Sequence, residues 1–102
     1  MSNEEAGPQL VSRHYDTANM PMVFRVVHLG QEIECRIARR TRDDAPALKK
    51  IWGGESISRT AIEQAFDQHQ DYFLACAHKA IHAGRVEHGA LWLGTNDFPE
   101  TR

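Results

Sequence analysis

The most constraining stretch of this chain is residues 22–37, MVFRVVHLGQEIECRI, where two β-type runs flank a single glycine. Met22 to Leu29 is rich in β-branched and aromatic residues, which fit a pleated, half-buried surface. Glu32 to Ile37 alternates cleanly: Ile33, Cys35 and Ile37 share one face, and Glu32, Glu34 and Arg36 share the other. Successive side chains of a strand point to opposite faces, so this run reads as a strand with one wet face. Gly30–Gln31 separates the runs, because glycine takes the positive φ that tight hairpins need. Together they predict a β-hairpin. A hairpin alone is marginal in water, so its apolar face needs a cover.

Residues 58–84 supply one. Ser58 or Thr60 can cap a helix start, and Thr60 with Glu63 would form a capping box. No glycine or proline follows until Gly84. At 100° per residue, Ile62, Ala65, Phe66, His69, Phe73, Cys76, Ala77 and Ala80 fall within about 60° of one line. Gln64, Asp67, Asp71, His78 and His82 take the opposite side. The pattern predicts one amphipathic helix of about six turns, closed by Gly84 in the left-handed conformation.

Between hairpin and helix lies RRTRDDAPALKKIWGG. Asp44 as cap, Pro46 in the first turn, Lys49 and Lys50 near the end and Gly53–Gly54 beyond it predict a short helix. It would turn Leu48, Ile51 and Trp52 inward. Arg85 to Leu93 predicts a last strand, or two short ones, and Asn96 to Arg102 a tail. Residues 1–14, polar with Gly7 and Pro8, predict a mobile lead-in, and a short element is expected near Tyr15. The expected order is β-β-α-α-β: an α+β domain over residues 15–98, its antiparallel sheet covered on one face by two helices, with 99–102 as tail. Such a sheet leaves edges that proteins often cover by self-association.

A chain of 102 residues suits one domain, and its 41% apolar content is enough for one core. No apolar run is long enough to span a bilayer. The acidic opening MSNEEAGPQL lacks the basic and apolar regions of a secretory signal. The expected address is therefore the cytoplasm, with no membrane partner. Cys35 and Cys76 form neither a CxxC pair nor a disulfide framework, and both are expected as reduced thiols.

Histidines raise the question of a metal. His78 and His82 are four apart on the wet helix face, and His88 lies just beyond. Zinc needs three or four such ligands. HxxxH here lacks the glutamate of the metalloprotease motif, and Lys79 follows His78, so the pair reads as solvated and no metal or cofactor is expected. His69 on the apolar stripe reads as a hydrogen-bonded structural histidine, with a titrating group in a cleft as the alternative. Cys76, inside that stripe, lacks the exposure a nucleophile requires. No nucleophile elbow, phosphate loop or carboxylate pair occurs, and no catalytic residue is assigned.

The net charge is −2, but it is unevenly spread. Arg36, Arg39, Arg40, Arg42, Lys49 and Lys50 crowd residues 36–50, a candidate nucleic-acid contact without recognition helix or aromatic platform. Leu74 and Ile81, seven apart and off the main stripe, form a second apolar line, a candidate homo-oligomer contact.

Tyr15–Asp16, the hairpin FRVVHLGQEIECRIA, and Phe66, His69 and Ala77 on a glycine-ended helix resemble a short bacterial family of unknown function, number 1488 in that series. The resemblance spans roughly residues 13–98. It implies a small stand-alone α+β protein and brings no established activity; some members carry a transcriptional-regulator label. Many follow the helix histidine with arginine, where this chain has Gln70, so no anion-binding role is carried over. The reading is a non-enzymatic regulatory or protein-interaction module, self-associating as a dimer or with an unknown protein partner. The alternative is a weak nucleic-acid binder.

Overall fold

The computed structural model describes residues 7–15, 22–52 and 58–99, with the side chains of Arg39, Arg42 and Asp43 also outside the description. Four strands form one sheet in the order β1 (Gln9–Tyr15), β2 (Met22–His28), β3 (Gln31–Ile37) and β4 (Ala90–Leu93). Between β3 and β4 run α1 (Arg39–Asp44), α2 (Pro46–Trp52), α3 (Arg59–Gln68) and α4 (Gln70–His82), and a 3-10 turn over Thr95–Asp97 ends the fold. Among the described residues, no helix is long and apolar enough to cross a membrane.

The hairpin is present, with its turn one residue earlier than expected. Leu29 and Gly30 occupy the loop with φ of 53° and 80°, and His28 pairs with Gln31. Two successive positive φ values give the two-residue turn whose twist matches antiparallel strands. β2 buries Met22, Phe24, Val26 and His28; β3 buries Ile33, Cys35 and Ile37.

Four expectations are corrected. The lead-in expected over residues 1–14 contains strand β1 from Gln9, antiparallel to β2; residues 1–6 lie outside the described residues. The sheet is mixed, because β4 runs parallel to β3. A helical connection between the two strands lets the chain return in the same direction. The short helix is two: α1 already spans Arg39–Asp44, so Asp44 ends a helix and Ala45 precedes Pro46. The expected stop at Gly53–Gly54 lies outside the described residues.

The fourth correction concerns the long helix, which breaks at His69 (φ −116°, ψ 27°) into α3 and α4. His69 Nδ1 lies 3.1 Å from the Ala65 carbonyl, the same oxygen its own backbone N–H reaches at 3.2 Å. A side chain competing for the i−4 carbonyl disturbs the helical ladder and bends it. The 3.6 period survives a one-residue break, so the stripe keeps facing the sheet: Ile62, Phe66, Phe73, Cys76, Ala77 and Ala80 are all buried.

Helix ends follow their residues. Ser58 caps α3, its Oγ accepting from the Ala61 N–H at 3.1 Å, while Thr60 lies inside the helix. Gly84 (φ 76°) donates to the Ile81 carbonyl and Arg85 to that of Ala80, a paired C-terminal closure that only a left-handed residue permits without strain.

Phe24, Trp52, Phe66, Phe73 and Phe98 form an aromatic core, with Trp52 Nε1 donating to the Ile62 carbonyl at 3.0 Å. Phe98 belongs to this core although the sequence suggested a tail from Asn96. Cys35 is fully buried between Ile33 and Ile37, and burial beside the Glu34 charge pushes its thiol up to about 12. Thiol reagents should therefore leave Cys35 unlabelled in the native protein. Cys35→Ser should cost about 1–3 kcal/mol in denaturant unfolding through a buried, partnerless hydroxyl, and Cys35→Val much less. Rapid native labelling of Cys35 would show that the strand register is wrong.

Candidate functional site

The inner face of β2 ends in a polar residue. Met22, Phe24, Val26 and His28 alternate onto that face, so the pleat carries an imidazole inward at the hairpin end. His28 is 7% exposed. On α4, His78 and His82 are one turn apart and point the same way. The three rings meet: centroids are 5.0 Å apart for His28–His78, 4.8 Å for His78–His82 and 6.4 Å for His28–His82. One ring nitrogen from each lies within 4.8 Å of the others.

His28 Nδ1 and His78 Nε2 are buried without a hydrogen-bond partner among the described residues. Leaving such a group unsatisfied costs about 1–3 kcal/mol. Burial, then the neighbouring His78 and His82 charges, lowers the His28 pKa from its ordinary value. A neutral imidazole is the form that can accept a hydrogen bond or ligate. The Gly7 backbone closes over His78; a Cβ there would stand 3.3 Å from Nδ1. A cleft of about 380 Å³ opens at His28 and His82, lined also by Leu29, Gln31, Ile33, Ile81 and Val86.

The second exposed feature is the outer face of the sheet. Cross-strand pairing puts Val23, Arg36 and Trp92 in one row, and Arg25, Glu34 and Ala90 in the next. Glu34 accepts from Arg36 at 2.7 Å and from Arg25 at 3.2 Å, which holds its carboxyl below the usual range, the Arg36 bond foremost. The Arg36 guanidinium lies 5.4 Å over the Trp92 ring, and Trp92 is 52% exposed. The two edges differ from this face in being blunted. β1 has a register shift between Leu10 and Ser12, and its inward Arg13 grips Asp67 with two bonds of 2.8 and 3.0 Å. Along β4, Arg85 donates to the Trp92 carbonyl and Glu87 pairs with Ala90.

Several residues singled out in the sequence are placed differently. His78 is half-buried rather than on a wet face, and its third neighbour is His28, not the exposed His88. His69 is exposed at the helix break, off the apolar stripe. Leu74 and Ile81 are half-buried and pack against the core. Of the basic residues, Arg36 lies on the sheet face engaged by Glu34 and Trp92, while Arg40, Lys49 and Lys50 are exposed on α1 and α2. The side chains of Arg39 and Arg42 lie outside the described residues.

A mixed four-stranded sheet carrying its helices in the β3–β4 connection defines a small α+β domain. Residues 8–93 match the family described as a protein of unknown function (DUF1488), and the chain belongs to it. The fold is similar to that of a crystal structure of a protein of unknown function from the same family, from Shewanella loihica PV-4. There the TM-score is 0.66 at 15% identity, covering 91% of this chain and 96% of that one. The comparison with curated proteins gives no match.

Proposed function

We propose that this chain is a non-enzymatic interaction module whose outer sheet face pairs with a second copy of itself. The exposed Trp92 on that face carries the reading. Aromatic side chains are the usual anchors of protein contacts, since they bury large area at low entropic cost. The identity of the partner follows from charge. Arg25 and Arg36 alternate with Glu32 and Glu34 over β2 and β3, a mixed-charge face that supports pairing with a second copy about a two-fold axis. Strand addition is disfavoured because both edges are blunted.

Size sets the strength. Three strands of seven residues and one of four, about 4.8 Å apart at about 3.3 Å per residue, project roughly 400 Å², about half the 800 Å² per partner of a standard interface. Association is therefore weak. The non-enzymatic part of the reading is supported by Cys35 and Cys76, both buried, with burial raising both thiols away from the reactive thiolate. Two unbridged thiols also suit the cytoplasm.

Sedimentation velocity between about 10 µM and 1 mM, a range suited to weak interfaces, tests this. The wild-type chain should sediment faster as concentration rises, whereas Trp92→Glu should remain monomeric with an unchanged circular dichroism spectrum. A wild type that stays monomeric, or a variant that associates equally well, would refute the reading.

A further inference from the structure

We propose that His28, His78 and His82 bind a divalent transition-metal ion, zinc or a first-row neighbour, through one ring nitrogen each. The proposal goes beyond self-association and uses no residue of the outer face. Its basis is convergence across the fold: the last residue of β2 and two residues one turn apart on α4 bring three ring nitrogens within 4.8 Å of one another.

Tetrahedral zinc holds nitrogens at about 2.05 Å, which sets them about 3.3 Å apart. The longest separation must therefore shrink by about 1.5 Å, a shift that rotation of the exposed His82 side chain can supply. His28 and His78 each carry a buried nitrogen without a partner among the described residues, which a metal bond would satisfy. The chemistry of the set narrows the ion. Imidazole suits zinc, copper, nickel and cobalt, whereas magnesium and calcium demand oxygen ligands. Among the described residues no carboxylate or thiol joins the three rings. The fourth position would open toward the cleft beside His28 and His82, whose other walls are Leu29, Ile33, Ile81 and Val86 with the polar Gln31. Water or a small ligand would complete the coordination there.

The competing account is packing of three mutually tilted rings, with interplanar angles of 60°, 53° and 61°. Tilted ring packing explains the 4.8–5.0 Å centroid spacings but leaves both buried nitrogens without a partner among the described residues. The two accounts differ in solution.

Metal-stripped protein is titrated with zinc chloride by calorimetry, and with cobalt chloride by visible absorption. One saturable site per chain is expected, with the strong absorption of tetrahedral cobalt and a higher melting temperature in zinc. His82→Gln removes a ligand from the exposed side and should leave the metal-free melting temperature close to wild type. It should weaken binding by at least the 10–100-fold that even indirect partners of a metal site contribute. His28→Gln should do the same. His88→Gln should bind like wild type. Absence of a saturable site, or a site whose affinity survives both His28→Gln and His82→Gln, would overturn the proposal. Should His28→Gln unfold the chain, His82→Gln alone decides.

Discussion

Phe73→Ala should destabilise the chain by about 3–5 kcal/mol, the range for removing a large buried aromatic. Phe73 is the hub of the core. Its ring stacks on Phe66 at 4.7 Å and touches Trp52 at 5.3 Å, Tyr72 at 5.7 Å, Phe98 at 6.0 Å and Phe24 at 6.3 Å. These neighbours come from β2, α2, α3, α4 and the C-terminal segment. A cavity at that junction cannot be closed by moving one element, so the cost falls at the upper end. Domains of this size are stable by only about 5–15 kcal/mol in total, and each kcal/mol shifts the melting temperature by about 4–8 °C. Thermal unfolding should accordingly drop by well over 10 °C. Phe73→Leu, which retains most of the volume, should cost far less. A loss below about 1 kcal/mol for Phe73→Ala would mean that α4 does not dock as described.

Phe98→Ala should cost a comparable amount, about 3–5 kcal/mol. The residue is 2% exposed although it lies beyond the last strand, in the segment that the sequence suggested as a tail. The segment carrying it is pinned at three points. The Gly94 N–H donates to Asp97 Oδ2 at 2.7 Å, Arg85 pairs with Asp97, and the Tyr72 hydroxyl donates to the Pro99 carbonyl at 2.8 Å. Because Phe73 and Phe98 touch, the double variant should depart from additivity by about 0.5–3 kcal/mol. Denaturant unfolding of the two single variants and the double variant measures this. Additive losses would contradict the contact between Phe73 and Phe98, and a negligible loss for Phe98→Ala would return Phe98 to the tail that the sequence suggested.

The β2–β3 hairpin was legible because β2 is rich in β-branched and aromatic residues and β3 alternates cleanly, with Gly30 between them. β1 was not, for two physical reasons. Its register shift near Leu10 and Ser12 breaks the alternation, and one inward position is Arg13, satisfied by Asp67 and Glu63. Both features protect an edge strand, and both remove the signal by which strands are read. The break at His69 was hidden because a helix that resumes after one residue keeps its apolar line. The direction of β4 cannot be read from ALWL, since four residues carry no orientation; the helical connection determines it.

The histidine cluster was half legible. His78 and His82 share a helix face by spacing alone, and His28 follows Met22, Phe24 and Val26 onto the inner face by the same period-two rule. Nothing in the sequence, however, joins residue 28 to residue 78. That meeting depends on where α4 crosses the sheet. The nearer His88 looked like the third member only because it is close along the chain. It lies instead in a turn with φ 54° and is exposed. The outer face was similarly half visible: Glu32, Glu34 and Arg36 follow from alternation, whereas Trp92 joins them only through parallel pairing of β4 with β3.

Self-association through that face is tested most directly by fluorine NMR of protein labelled with fluorotryptophan. The chain has two tryptophans, Trp52 buried in the core and Trp92 exposed on the sheet, so two resonances report separately on interior and face. As concentration rises through the weak-dimer range, the Trp92 resonance should shift and broaden while that of Trp52 stays in place. A Trp92 signal unchanged up to millimolar protein would contradict the account.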